Sequence, residues 1–295
     1  MNIIIHADDY GISDQINNNI IDTFIYGCLN SLSIVPNGCA FYSGMKMINK
    51  YDDLKLSIHL NICEGKPLSN IDEVPNLVNS KGIFYKSFLR LWVESIISKN
   101  LKKKLSEEIF IEINRQIEKV KNNNSKKKII SIDSHKHFHM IPFVFDIFSK
   151  LAVLHDIKRI RLINEPFFLT REIKNNVINI LSFNIIKQLL LKLLTIIYKK
   201  RLNNIGIEYN KYFVGVLFSG YMNLSVVKSA IKILRQKKAD EVEILFHPGG
   251  AIHKEISIWK DNINDSKYYL SKNRMIEKNE LLSKKMNNYL YNNLK

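Results

Sequence analysis

The first fourteen residues, Met1 to Asp14, constrain the fold of this chain more than any other stretch, and they read MNIIIHADDYGISD. Asn2 to His6 is a short apolar run that ends at turn-forming residues, which is typical of a buried strand in a parallel sheet. Two adjacent carboxylates, Asp8 and Asp9, follow this run. Because buried carboxylates are costly unless a cation or a proton balances them, the pair predicts a site at this strand end.

The alternative is that Asp8 and Asp9 only cap the following helix. Ser13 already fits the capping position, directly ahead of the periodic apolar run that begins at Ile16. Successive side chains of a strand point to opposite faces, so the two carboxylates are expected to do different jobs. The pattern therefore favours a functional interpretation of the pair.

Strand-like and helix-like segments alternate along the rest of the chain, which predicts a parallel sheet. The further predicted strands are 32–35, 56–60, 129–134, 159–163, 212–217 and 242–246. The predicted helices are 16–26, 40–49, 88–98, 105–121, 143–154, 171–202 with a break around 182–184, and 224–235.

The length of 295 residues suits an α/β barrel. We expect a distorted or incomplete TIM-like (β/α) barrel with parallel strands, in a single domain that covers residues 1–295. A helical insertion around 171–204 and a helical C-terminal tail from about 266 complete this prediction.

Histidines follow three further predicted strands at the point where each strand ends, namely His59, His135 and His247. The carboxyl ends of parallel strands meet at one edge of a sheet or barrel, where reactive groups collect. One carboxylate and two imidazoles form a common divalent-metal set that leaves positions open for water, and Asp9, His59 and His135 would supply it. A lone histidine is more often a core or surface residue, but the agreement of several strand ends favours a site.

The stretch after the strand at 129–134 contains three histidines, of which one is expected to be the ligand. We rank His135 first, His139 second because it lies four residues further on, and His137 third. Two imidazoles favour Zn²⁺ by ligand softness.

Hydrolysis near such a metal needs a base for the attacking water and an acid for the leaving group. Asp8, on the opposite strand face from Asp9, is the candidate base, and His247 is the candidate acid. The alternative for His247-Pro248-Gly249 is an ordinary tight turn in which Gly249 takes a positive φ.

The formal net charge of +16 raises the question of a nucleic-acid partner. The basic residues are spread along the chain in small clusters at 102–104, 126–128 and 199–201, without an aromatic-rich basic motif that would stack bases. We expect no nucleic-acid partner and attribute the charge to compositional drift, with an anionic membrane or substrate surface second. RNA binding stays an alternative that a steep salt dependence would reveal.

The three cysteines, Cys28, Cys39 and Cys63, are odd in number and lack metal-type spacing. They are therefore expected to be reduced thiols, which indicates a cytoplasmic protein.

The most apolar stretch, 185–198, is too short and too charged to span a bilayer. Over 185–201 its apolar residues recur at near-helical spacing, with cations along one edge and at the end. Such a helix either packs on the barrel, the commoner case, or makes a peripheral contact with an anionic membrane at its inner face.

Five segments occur in the order IIIHADDYGIS, SIHLNICEGKPL, SIDSHKHFHMIP, RLINEP and ILFHPGG. Together with residues 27–37, residues 206–220 and the pattern Ser271-x-x-Arg274-x-x-Glu277, they resemble the YdjC-like carbohydrate deacetylases. That family includes the deacetylases of chitin disaccharides and a hopanoid-biosynthesis branch. The chain departs from the family pattern at His6, at Ser57-Ile58, and in the long apolar stretch 185–204, which bears on the substrate rather than on the chemistry.

The resemblance implies a barrel-like α/β fold, a divalent metal usually given as Mg²⁺, and removal of an acetyl group from an N-acetylated sugar. It places the metal residues on Asp9, His59 and His135 and the catalytic pair on Asp8 and His247. The further candidates for contacts with the substrate are His139, Glu165 and Arg274, of which Arg274 would bind substrate or orient a loop.

The sequence therefore predicts a metal-dependent hydrolase that acts on an N-acetylated sugar, carried by an oligosaccharide or by a lipid-linked glycan. The main alternative is an inactive relative that only binds glycans, although binding alone does not need a metal-water site. A homodimer is left open.

Overall fold

Six parallel strands form the centre of the protein, and their sheet curls into a half-barrel, which confirms the predicted fold class. The computed structural model describes residues 1–124, 127–170, 183–259 and 266–294. The strands are β1 (Asn2–Tyr10), β2 (Ser31–Ile34), β3 (Lys55–Leu60), β4 (Ile129–Ser134), β5 (Phe213–Val214) and β6 (Glu241–Phe246). Their order in the sheet is β4-β3-β2-β1-β6-β5, so the opening strand of the chain lies inside the sheet.

Helices follow most of the strands and supply the outer layer. They are α1 (Asp14–Ile25), α2 (Phe41–Ile48), α3 (Phe88–Ile97), α4 (Lys99–Asn123), α5 (Pro142–Leu154), α6 (Phe183–Asn204), α7 (Leu224–Gln236), α8 (His253–Trp259), α9 (Lys272–Leu282) and α10 (Lys284–Leu294). Ser13 caps α1 as predicted, because its Oγ accepts a hydrogen bond from the Ile16 N–H at 3.2 Å. Within the described part of the chain, none of the helices combines the length and the apolar character that crossing a bilayer requires.

The opening strand is longer than predicted, because Asp8, Asp9 and Tyr10 lie inside β1 rather than after it. The register between β1 and β2 shifts between Ala7 and Tyr10, and Asp9 has a φ of +71°. Such an irregularity re-aims side chains near the end of a strand, and it is a frequent feature beside active sites. The direction of the Asp9 side chain therefore does not follow the alternation of a regular strand.

The predicted strands at 159–163 and 212–217 are largely absent as strands. Ile160 forms an isolated parallel bridge with Ile132 of β4, after which the Leu162 N–H bonds the Asn210 side chain at 2.7 Å instead of a neighbouring strand. β5 stops at Val214, because the next backbone N–H groups donate to the carboxylate of Glu165. Side chains thus replace the strand pairing at the open side of the half-barrel.

Residues 171–182 of the predicted helical insertion around 171–204 lie outside the described residues, and its described part forms α6 (Phe183–Asn204). The predicted C-terminal tail is helical in α9 and α10. The division of the chain into one domain with these two additions stays a prediction.

Candidate active site

A cavity of about 640 Å³ lies at the carboxyl edge of the sheet. Its walls include the five residues predicted to share one site, Asp8, Asp9, His59, His135 and His247. These residues come from β1 and from the ends of β3, β4 and β6, so the expected meeting of four strand ends is present. The other walls come from the start of α3 and the first half of α6, from the residues after β4 and β5, and from Leu245 and Tyr268.

Asp9, His59 and His135 bring one donor atom each to a common point. Asp9 Oδ1 lies 3.1 Å from His135 Nδ1 and 3.8 Å from His59 Nε2, and the two imidazole nitrogens are 3.3 Å apart. All three donor atoms lie within 4.8 Å of one another, and all three residues are buried. Apart from His135 Nδ1, whose contact is not aligned as a hydrogen bond, Asp9 Oδ1 has no hydrogen-bond partner in the described structure, which is costly for a buried carboxylate oxygen and fits a cation as its missing neighbour.

His59 is oriented for coordination from behind by Asp133, which contacts its Nδ1. With the Nδ1 proton held there, Nε2 carries the lone pair that faces Asp9 and His135. Burial lowers the pKa of His59, but the carboxylates of Asp8, Asp133 and Asp9 raise it to about 9. These carboxylates therefore favour positive charge at this point, which a divalent cation supplies, so the donor set fits a metal.

The His135 ring is also oriented by a carboxylate, which lies next to the ring nitrogen that points away from Asp9. Its Nε2 lies 3.1 Å from the Tyr269 hydroxyl and 3.3 Å from Glu64 Oε2. Glu64 Oε2 also accepts hydrogen bonds from the Tyr269 hydroxyl at 2.6 Å and from the Trp259 indole at 3.0 Å. Both histidines thus have a carboxylate behind them, an arrangement that fixes ring orientation and strengthens metal ligands.

Arg274 neutralises the second oxygen of Asp9, with Nη1 2.7 Å from Oδ2. Burial raises the pKa of Asp9, but Arg274 and His135 outweigh it and hold this pKa far below its usual range. The Arg274 Nε donates to the Gly249 carbonyl at 2.8 Å, and its own carbonyl accepts from the Gly249 N–H at 2.7 Å. Arg274 therefore orients the turn after β6, one of the two roles expected of it, and it does not line the cavity.

Asp8 has a different environment from Asp9, although both residues line the cavity. Arg161 donates to both of its oxygens, at 2.9 and 3.0 Å, and the Ser33 hydroxyl donates to Oδ1 at 2.8 Å. Burial raises the pKa of Asp8, but Arg161, His59 and His6 bring it well below its usual range. Asp8 is therefore ionised at neutral pH.

Arg161 joins Asp8 to the carboxylate behind His59. Its Nη2 lies 2.8 Å from Asp133 Oδ2, and its Nε lies 2.6 Å from Glu243 Oε1. A second group of donor atoms, from His6, Asp8 and Asp133, also comes together here. The Arg161 guanidinium already supplies a cation to both of these carboxylates, so the group does not need a metal.

His247 lines the cavity after β6 and is half-buried. Its backbone N–H donates to Glu277 Oε2 at 2.6 Å, and its ring packs edge-on against Tyr268. Burial lowers the pKa of His247 to about 4, with Arg274 contributing and Asp9 opposing. His247 is therefore neutral at pH 7. The tight turn expected after His247 is present as well, since Gly249 has a φ of +81°.

Two expected substrate residues are placed elsewhere. His139 is fully buried, and its Nδ1 and Nε2 pair with the Ser134 hydroxyl at 2.7 Å and the Arg161 carbonyl at 2.9 Å. Both ring nitrogens are thus used inside the protein, which corrects its ranking as a second ligand or a substrate contact.

Glu165 uses both carboxylate oxygens to accept the backbone N–H groups of residues 215–217, at 2.7 to 3.2 Å. It holds the loop that contributes Gly215 and Val216 to the cavity wall, rather than reaching the cavity itself. His137, ranked third, does line the cavity, and its buried Nδ1 has no hydrogen-bond partner among the described residues.

The contact between Asp133 and His59 gives a direct prediction. Asp133→Asn removes the charge that fixes the His59 tautomer, so metal affinity should fall by roughly 10- to 100-fold. Metal titration by calorimetry measures this, and Asp146→Asn, at an exposed carboxylate outside the cavity, is the matched control. Unchanged affinity in a folded Asp133→Asn protein would contradict the arrangement.

The chain is similar to a known protein family and to proteins named as deacetylases. A family model described as "YdjC-like protein" matches residues 2–292. A carbohydrate deacetylase of Clostridium beijerinckii is 32% identical over 167 residues, which are 56% of this chain and 62% of that protein. A chitooligosaccharide deacetylase of Serratia marcescens is 27% identical over 150 residues, 51% of this chain and 55% of that protein.

The matched region covers less than two thirds of these relatives' own length. A crystal structure of a proposed cellobiose-phosphate cleavage protein from Enterococcus faecalis V583 superposes with a TM-score of 0.71 over 99% of this chain and 94% of that chain. At 18% sequence identity, this likeness concerns the fold alone.

Proposed function

Because this chain belongs to the YdjC-like protein family, we propose that it is a metal-dependent hydrolase that removes the acetyl group from an N-acetylated sugar. The observation that carries the proposal is the unpartnered Oδ1 of Asp9 facing His59 and His135, in the cavity that Asp8 and His247 also line. The names of the deacetylase relatives support the same chemistry.

Asp9, His59 and His135 would hold the ion, which when bound polarises the acetyl carbonyl and makes water more acidic. The imidazole pair suits Zn²⁺, whereas the resemblance favours Mg²⁺. Elemental analysis of protein purified without added metal distinguishes the two.

Asp8 is the proposed base. It is ionised, and its Oδ2 contacts only one N–H of Arg161 in the described structure, whereas Oδ1 also accepts from Ser33. Oδ2 is therefore the atom proposed to take the proton of the attacking water. Arg161 keeps the carboxylate charged and fixed in place, but it also lowers the basicity of Asp8, so proton transfer to Oδ2 depends on the lower pKa that a bound metal would give the water.

His247 is the proposed acid. Its lowered pKa means that the imidazole is neutral in the resting site and has no spare proton to donate. We propose that the proton that Asp8 takes from the attacking water passes to His247 through a water molecule in the cavity that both residues line, and that the imidazolium then releases it to the departing amine. The sugar product carries a free amine, and the acetyl group leaves as acetate.

The rest of the cavity bears on what is attached to the sugar. Away from the histidines, six apolar side chains line the cavity, namely Phe88, Leu89, Ile186, Leu190, Leu191 and Val216, and five polar ones lie among them, namely Ser87, Lys136, Asn184, Lys187 and Ser219. Sugar hydroxyls placed against the six apolar side chains would lose water without gaining hydrogen bonds, at about 1–3 kcal/mol each. We therefore propose that the acetylated sugar sits against the histidines and that an apolar group attached to it contacts these apolar side chains.

The test is acetate release from a panel of N-acetylated glycans, with and without a chelator. The panel pairs each free oligosaccharide with the same sugar carrying an alkyl aglycone. We expect release that the chelator abolishes and added metal restores, with a higher kcat/KM for the alkyl glycosides. Release of acetate that is indifferent to chelator would contradict the metal-dependent mechanism.

A further inference from the structure

The cavity mouth continues into an exposed apolar surface on α6. Ile186, which lines the cavity, begins a face that continues through Leu189, Leu193, Ile196 and Ile197, with side chains between 50% and 65% exposed. The opposite face of α6 is buried in the core through Leu191, Leu194, Tyr198 and Leu202. The expected packing of this helix on the barrel is therefore present, and it leaves a second apolar face open.

A similar exposed face starts at the other side of the mouth, on α3. Leu89 also lines the cavity, and Val93, Ile96 and Ile97 follow it at helical spacing, with side chains between 49% and 79% exposed. The buried face of α3 is marked by Leu91. We define the mouth surface as these exposed residues of α3 and α6 together. Exposed apolar residues that continue along two helices from the same cavity are typical of interaction surfaces in soluble proteins.

Cations border the mouth surface at the ends of both helices. The α3 face is followed by the exposed lysines Lys99, Lys102, Lys103 and Lys104 at the start of α4, and the α6 face by Lys199, Lys200 and Arg201. The sequence of α6 contains five cations and no aspartate or glutamate, although Lys187 is half-buried at the cavity and Arg201 pairs with Asp146 at 2.6 Å. This combination of apolar residues with a cationic border matches the charge and polarity of an anionic lipid surface.

We propose that the mouth surface docks on an anionic bilayer. Docking there would place the cavity where a sugar on a lipid carrier can enter, with the apolar part of the lipid along the cavity wall. This consequence of docking rests on the proposed function. A second copy of the chain suits the surface less well, because a two-fold contact would bring α6 cations of one copy near those of the other. The bilayer supplies both the apolar depth and the negative charge.

The test is co-sedimentation with vesicles, a measurement that does not depend on enzymatic activity. We expect the protein to pellet with vesicles that contain phosphatidylglycerol but not with pure phosphatidylcholine vesicles. Because salt screens the lysines, pelleting should weaken as salt rises. Protein that stays in the supernatant with the anionic vesicles at low salt would overturn the inference.

Two variants with matched controls locate the contact. Leu189→Gln with Leu193→Gln removes apolar side chains, and Lys103→Glu with Lys104→Glu and Lys200→Glu reverses charges; each should weaken vesicle binding at least tenfold. The controls are Val153→Gln with Leu154→Gln, which are also exposed apolar residues, and Lys284→Glu with Lys285→Glu, and both should bind as the wild type does. Equal binding by variants and controls would overturn the proposed surface.

Two other outcomes separate the inference from the proposed function. A wild-type dimer that the Leu189 and Leu193 changes convert to a monomer, without vesicle binding, would assign the surface to a second copy and overturn the membrane inference. Vesicle binding without acetate release from any glycan would leave the surface standing and contradict the deacetylase function. The variants are expected to keep full activity on a water-soluble N-acetylated glycoside, because the changed residues lie outside the cavity.

Discussion

Replacing Asp9 or His59 by Ala is expected to abolish both bound metal and hydrolysis. Each change takes one of three protein ligands from the site, and the remaining donors are too few to hold the ion. The measurements are metal content by elemental analysis and acetate release from the best glycan. His155→Ala and Asp146→Ala, outside the cavity, are the matched controls and should retain both.

Folding must be checked in the Asp9 variant, because removal of its carboxylate leaves the buried Arg274 guanidinium without its partner. Breaking a buried pair in this way costs about 3–5 kcal/mol. His59→Ala has no such consequence, since Asp133 keeps its ion pair with Arg161. Full metal occupancy in a folded His59→Ala protein would remove His59 from the site.

Asp8→Asn is expected to keep the metal and the fold while losing roughly 10²-fold or more of the rate, the usual effect of removing a positioned base. The amide matches the carboxylate in shape, and Arg161 retains its contacts with Asp133 and Glu243. The effect should therefore be seen in kcat rather than in metal content.

His247→Ala is expected to show a similar loss, smaller for substrates whose leaving group needs no proton. Comparison of an amide with an activated ester of the same sugar separates the two roles, because only the amine departs with an added proton. If Asp8→Asn lost the metal and His247→Ala were fully active, the assignment of base and acid would be wrong.

The sequence was most informative where a strand ends in a side chain that the chemistry uses. Asp9, His59, His135 and His247 follow apolar runs whose parallel arrangement can be read from the alternation of strands and helices. Parallel strands present their carboxyl ends at one edge, so the meeting of these residues follows from topology alone.

The carboxylates behind the histidines could not be predicted in this way. Asp133 sits in the strand motif SIDSH and reaches His59 across the pairing of β3 with β4, a contact that depends on register. Glu64 lies in a loop whose course no periodicity describes, and Arg161 lies in a predicted strand that the structure reduces to two isolated bridges, at Arg159 and Ile160. Buried ionic residues in such motifs are the available signal, because each needs a partner of opposite charge.

The histidine-rich stretch shows the opposite difficulty, since its three histidines have equivalent chemistry in the sequence. Lys136 and His137 have positive φ values of 52° and 60°, so the helical spacing used to rank His139 does not apply. His139 points inward to Ser134 and the Arg161 backbone instead. Local backbone conformation, which spacing does not reveal, decides which histidine faces the cavity.

The measurement that tests the central claim most directly is identification of the product. Wild-type protein and Asp8→Asn, both loaded with metal, are incubated with an alkyl glycoside of an N-acetylated sugar, and the sugar is followed by mass spectrometry with acetate measured in parallel. We expect a free-amine sugar and an equal amount of acetate from the wild type, and a rate at least about 10²-fold lower from the variant. An intact acetyl group in all glycans of the panel, with metal bound at Asp9, His59 and His135, would contradict this expectation.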